Sequence, residues 1–183
     1  MLTFDDSPHF LSTPKVLDIL KTKGIKATFF ILGSKSLFHA EIVKRIHKEG
    51  HQVANNGWKR HIITDDSFPA IESQVQHTTR ALYNLTHVNT TFYRPYNGMS
   101  NEDLNKQFKT NNMQVILWNQ QPTENAKDIL SMADKIAPGD IVRMQNTKTT
   151  IEALPHFIDK LTQEGYEFLT IAQVASFPDD SPH

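Results

Sequence analysis

The chain has no cysteine and almost no net charge, and both absences narrow its chemistry. Without a thiol there is no disulfide framework, no thiolate zinc site and no cysteine nucleophile. Lys and Arg number 19 against 20 Asp and Glu, a formal net charge of −1. That balance gives no electrostatic basis for binding nucleic acid or an anionic membrane. No apolar run approaches the roughly 18 residues of a membrane span, so no membrane insertion is expected. No signal peptide is visible, since Met1 runs straight into Leu2-Thr3-Phe4. Linkers, low-complexity tracts and solenoid-period repeats are also missing. One domain over residues 1–177 is expected, with 178–183 as a tail, and the oligomeric state is not encoded in any visible pattern. Histidine, by contrast, is plentiful: nine imidazoles are available as metal ligands if they fall in ligand spacing.

Short apolar runs alternate with amphipathic helical stretches. Residues 1–4 read as a strand, and Thr13-Pro14 as an N-cap followed by proline at the first helical position. Ala27 to Leu32 is a buried strand, and Gln52 to Asn55 another. Further strands are read at 92–94, 114–118, 140–144 and 167–169. Helices are read between them, with Ser100 and Thr170 as caps and one helix from about Thr150 to Glu164. Seven strand–helix units in unbroken alternation predict an α/β fold, a parallel sheet curled into an irregular (β/α)7 barrel. Working groups in such barrels sit at the carboxyl ends of the strands.

Asp5 and Asp6 stand at the end of the first strand, where adjacent carboxylates point to opposite sides. Leu2-Thr3-Phe4-Asp5-Asp6-Ser7-Pro8 resembles the TFDDGP motif of the polysaccharide deacetylases, the NodB-homology domain of carbohydrate esterase family 4. Ala27 to Gly33 resembles that family's second strand, and Gly50 to Asn55 the approach to its second motif. Phe92-Tyr93-Arg94-Pro95-Tyr96-Asn97-Gly98 resembles the third motif, and Pro138 to Val142 leads into the fifth. The family removes acetyl groups from N-acetylated sugars such as chitin or cell-wall peptidoglycan, using a divalent metal, often zinc, held by one Asp and two His. The resemblance implies a NodB-like barrel whose first strand is truncated. It implies Asp5 in the position of the catalytic base, Arg94 orienting it, and Asp6 as metal ligand. It also places the protein outside the cell or at the envelope.

Other motif positions depart from the family pattern. The second motif, H-[ST]-x-x-H, aligns its two metal imidazoles with Asn56 and Arg60. An amide oxygen is a poor zinc ligand and a guanidinium is none. His61 is one residue late, and Gly57 stands four residues before it. The general-acid histidine of the fifth motif aligns with Gln145, which has no proton to give near neutral pH. No Asp-Trp pair of the fourth motif occurs near Trp118 to Asn125, and Ser7 replaces the glycine of the first, which would strain a backbone of positive φ. The expectation is a degenerate, inactive deacetylase fold with no cofactor, retaining a possible N-acetylated glycan partner. Two alternatives stand beside it: a working metal-dependent N-deacetylase with zinc, and a truncated or decayed gene product. Two carboxylates without a metal need compensating charge, so Arg60, Arg94 and Arg143 are expected to turn inward onto them. Tyr96, Trp58 and Trp118 are candidates for stacking on sugar rings, and His9 for a substitute ligand.

Overall fold

In the computed structural model, residues 1–60, 68–123 and 125–176 are described. The tail at 178–183 and His61 lie outside them. Six parallel strands form one curled sheet: β1 (Leu2–Ser7), β2 (Thr28–Ile31), β3 (Gln52–Asn55), β4 (Phe92–Tyr93), β5 (Gln114–Val115) and β6 (Val142–Gln145), in the spatial order β5-β4-β3-β2-β1-β6. The helices are α1 (Thr13–Lys23), α2 (Gly33–Phe38), α3 (Ala40–Lys48), α4 (Phe68–Thr86), α5 (Glu102–Thr110), α6 (Ala126–Met132), α7 (Lys148–Gln163) and α8 (Ile171–Ala175).

Strand parity sorts the side chains into two layers. Leu2 and Phe4 of β1 face the helices, in one cluster with Leu17 and Leu20 of α1 and Phe157 and Leu161 of α7. Each such fully buried side chain contributes about 1.5–3 kcal/mol. Thr3 and Asp5 face the other way, into the ring, where they meet Arg94. The interior is lined in part by Phe30, Ala54 and Phe92, so a charged group there rests on an apolar floor.

The two ends of the sheet meet through the chain that follows β5. Gln120 bridges Val142 in parallel, and the Arg143 amide donates to the Gln120 carbonyl at 2.8 Å. Asp140 reinforces this seam by accepting hydrogen bonds from the side chains of Asn119 and Gln120. The expected seventh strand at 167–169 is absent from the sheet among the described residues. Its place is taken: β1 has β2 on one edge and β6 on the other, and β6 meets Gln120 on its far edge. Tyr166 and Phe168 instead pack partly buried against the helical core.

Helix starts differ from the sequence reading by one or two residues. The N-cap of α1 is Ser12 rather than Thr13. Asn101, not Ser100, caps α5, accepting from the Leu104 amide at 2.8 Å. Thr147 caps α7 ahead of Thr150, and Thr170 closes a capping box on α8 as expected. The six-residue α2 has no counterpart in the sequence reading, being too short to show a helical period.

Candidate functional site

The strand ends converge on Asp5 and Asp6. Asp5 is held through both oxygens: Arg94 Nη1 donates to Oδ1 at 2.8 Å and Arg143 Nε to Oδ2 at 2.6 Å. Arg94 is wholly buried, and every guanidinium nitrogen is used. Besides Asp5, it donates to Thr3 Oγ1 and to the carbonyls of Ile116 and Leu117, which lie on the segment that closes the ring. Its Cζ lies 3.9 Å from the Phe30 ring centre. Burial lowers the Arg94 pKa from its ordinary value, Asp5 opposes that fall and Arg143 adds to it.

Arg143 reaches Asp5 from the neighbouring strand and donates its Nη1 to Gln121 Oε1. Trp118 lies under it, with Cζ 4.5 Å from the ring centre. The Trp118 ring also packs so closely on Gly98 that a Cβ there would fall 2.6 Å from it, at a backbone φ of +68°. Gly98 is therefore required twice, for conformation and for space. Trp58 is likewise engaged in packing, stacked on His77 at 3.9 Å and pressed against Gly33. Tyr96 is half-buried beside Asn56 and Tyr93.

Asp6 is built differently. Its backbone is left-handed, φ +56°, which Asp tolerates better than most residues. The positive φ falls here and not on Ser7, so the serine of the first motif carries none of the strain expected of it. Asn56 Oδ1 accepts the Asp6 amide at 3.1 Å, and its Nδ2 donates to the Arg94 carbonyl at 2.8 Å. Lys35 Nζ donates to the Asp6 carbonyl at 2.7 Å. Burial draws the Lys35 ammonium pKa down, Asp6 raises it and Arg60 lowers it further. Arg60 Nη2 sits 3.2 Å from Asp6 Oδ2, and the other oxygen, Oδ1, has no hydrogen-bond partner among the described residues.

All three arginines therefore meet the two carboxylates. Gln145 lines the cleft outside them, as does His9, whose Nδ1 is paired with Ser12 Oγ at 2.7 Å. Lys35, Thr3, Gln121 and Asn146 escaped the sequence reading. Strand parity could have found Thr3, two residues before Asp5 on the same face, whereas Lys35 rides on the unread α2.

Members of this family are typically metal-dependent, so the donor set is tested against a divalent cation. Asn56 spends its oxygen and nitrogen on backbone groups, and a guanidinium stands on Asp6. No group of three or more His, Cys, Asp or Glu is gathered for a metal among the described residues. Among the described residues such a set pairs anions with cations and does not fit a metal.

The family model for polysaccharide deacetylases matches residues 1–116. A peptidoglycan-N-acetylglucosamine deacetylase of Listeria monocytogenes is 35% identical over 182 residues, covering 94% of this chain but 38% of that protein. The chain thus spans well under half the length of that curated relative. Among solved structures, a peptidoglycan N-acetylglucosamine deacetylase superposes with a TM-score of 0.90 at 29% identity, over 94% of this chain and 85% of the other. A pseudoenzyme of carbohydrate esterase family 4 from Bacillus anthracis superposes with a TM-score of 0.88 at 27% identity, over 94% and 63%. A mutant of that pseudoenzyme is described as having restored enzymatic activity. The parallel ring, the paired aspartates on its first strand and the family match agree: this chain belongs to the polysaccharide deacetylase family.

Proposed function

We propose that this chain is a degenerate polysaccharide deacetylase domain that holds no catalytic metal and binds N-acetylated glycan without hydrolysing it. One observation carries the reading: both Asp5 oxygens and one Asp6 oxygen are engaged by arginine. A general base needs a free oxygen within reach of the attacking water. Asp5 in the base position carries a guanidinium on each oxygen, and Asp6 in the metal position faces a third. Gln145 in the general-acid position cannot protonate a leaving amine. The similarity to a family pseudoenzyme supports the same reading, and the names of the peptidoglycan deacetylases among its relatives support a bacterial cell-wall glycan and the cell envelope. No helix among the described residues is long and apolar enough to cross a membrane.

The test is metal content after purification with zinc or cobalt, together with acetate release from chitooligosaccharides and peptidoglycan fragments. The expected result is metal far below one equivalent and no acetate. Stoichiometric metal, with turnover that Asp6→Gly abolishes, would overturn the proposal in favour of a working metal-dependent N-deacetylase, the activity carried in the names of most of its relatives.

A further inference from the structure

Outside the paired aspartates, the ring opens into a cleft of ≈ 620 Å³ walled by the loop before α1, by α2 and by the start of α7. That size suits a small ligand. Its lining carries Lys15, Lys35, Arg60 and Lys148 against Asp5, Asp6 and Glu152. Asp5 is already neutralised from inside by Arg94 and Arg143, so among the described residues six cations stand against three carboxylates, with Lys148 3.7 Å from Glu152, in a chain whose total charge is −1. The N-terminus of the 16-residue α7 adds a positive dipole end beside Lys148.

A second, independent observation concerns acceptors. Asp6 is 7% exposed and lines the cleft, yet its Oδ1 has no partner among the described residues. Asn146 Oδ1, in the same lining, is likewise without a donor while its Nδ2 is spent on Ser7 Oγ at 2.8 Å. Buried acceptors left unpaired are costly, and a ligand O–H or N–H would satisfy them. Asp6 cannot turn away easily, because Asn56 holds its amide and Lys35 its carbonyl.

These two demands narrow the ligand. A bare anion meets the lysines but brings no proton to Asp6 and Asn146. A neutral sugar brings hydroxyls but no charge for Lys15, which has no acidic partner among the described residues, or for Lys148, which has only Glu152 at 3.7 Å. The geometry points to a hydroxylated anion, either a sugar acid or a polyol phosphate, with its charge toward Lys15 and Lys148 and its hydroxyls toward Asp6 and Asn146. This rests on the glycan-binding reading above and specifies the chemistry of the glycan.

Calorimetric titration of the intact chain with four probes tests it: oligogalacturonate, glycerol 3-phosphate, inorganic sulfate and a neutral chitooligosaccharide. One of the first two should bind about tenfold or more tighter than both sulfate and the neutral sugar, as expected for charge-assisted hydrogen bonds, and the tighter identifies the source of the anion. Its affinity should weaken with added salt. Lys15→Glu with Lys148→Glu, both at exposed positions, should reduce its binding by about tenfold or more. Asp6→Gly, chosen because glycine keeps φ +56° without strain, should narrow the margin of the hydroxylated anion over sulfate, because both gain from loss of the carboxylate charge and only the former loses a hydrogen bond, with a melting curve confirming the fold. Equal affinity for the neutral sugar would overturn the anion preference and leave the glycan reading standing. Binding of sulfate as tight as the best probe, or no binding of any probe, would overturn the site. Acetate release would overturn the non-catalytic reading alone, leaving the order of probe affinities to be judged separately.

Discussion

Asp5 faces the ring interior with Arg94 on one oxygen and Arg143 on the other, while Asp6, the next residue, meets a half-exposed Arg60 on one oxygen and among the described residues nothing on the second. The flanking arginine side chains are 0% and 8% exposed at Asp5 but 56% exposed at Asp6. The first carboxylate is therefore part of the framework. The second keeps one oxygen without a partner among the described residues. The two neighbouring carboxylates thus differ in how firmly the fold holds them.

The division can be broken most forcefully at Arg94. Arg94→Ala strands Asp5 opposite a single arginine and frees two carbonyls of the closing segment. Removing one partner of a buried ion pair costs about 3–5 kcal/mol, and urea unfolding should register a loss of that size. A loss below about 1 kcal/mol, the level of an exposed pair, would show that the Asp5 cluster is not framework after all.

His51 gives the fold an acid response that arises outside the carboxylate site. It lies just before β3, away from the strand ends that carry the site, and its Nδ1 accepts the Ala27 amide. Burial lowers its pKa from 6.5 to about 4, with Lys26 adding to the effect. The folded state therefore disfavours a proton that the unfolded chain accepts below 6.5. Stability is full above that pH and falls as the pH drops toward 4. Thermal melts should show this decline, and His51→Phe should flatten it between pH 6.5 and 4. A decline that persists in the variant would assign the acid sensitivity to groups other than His51.

Arg60→Ala should give the smallest effect. Its guanidinium is 56% exposed, so its pairing with Asp6 contributes at most about 1 kcal/mol, diminished by salt. A loss comparable to that of Arg94→Ala would erase the distinction between the two carboxylates.

Much of this was legible in the sequence because strand parity and motif spacing are local. The TFDD run placed Asp5 on a strand end, and the absence of imidazoles at 56 and 60 identified where charge would be needed. The less legible features depend on tertiary geometry. Asn56 reads as a failed ligand, yet it bridges the Asp6 amide to the Arg94 carbonyl, a role that exists only once β3 and β4 lie beside β1 and β2. The positive φ belongs to Asp6 rather than Ser7 because the first strand breaks its register there. The seventh strand fails for want of a free edge, which no periodicity can reveal.

Arg94 ties Asp5 and Thr3 of β1 to the carbonyls of Ile116 and Leu117. Selection for folding alone would thus keep this arginine, and with it Asp5, after all selection for hydrolysis had ceased. The persistence of Thr3, Asp5 and Arg94 therefore reports an intact barrel and carries no information about turnover. Activity has to be judged at positions that folding does not protect, of which 60 and 145 are the most telling in this chain.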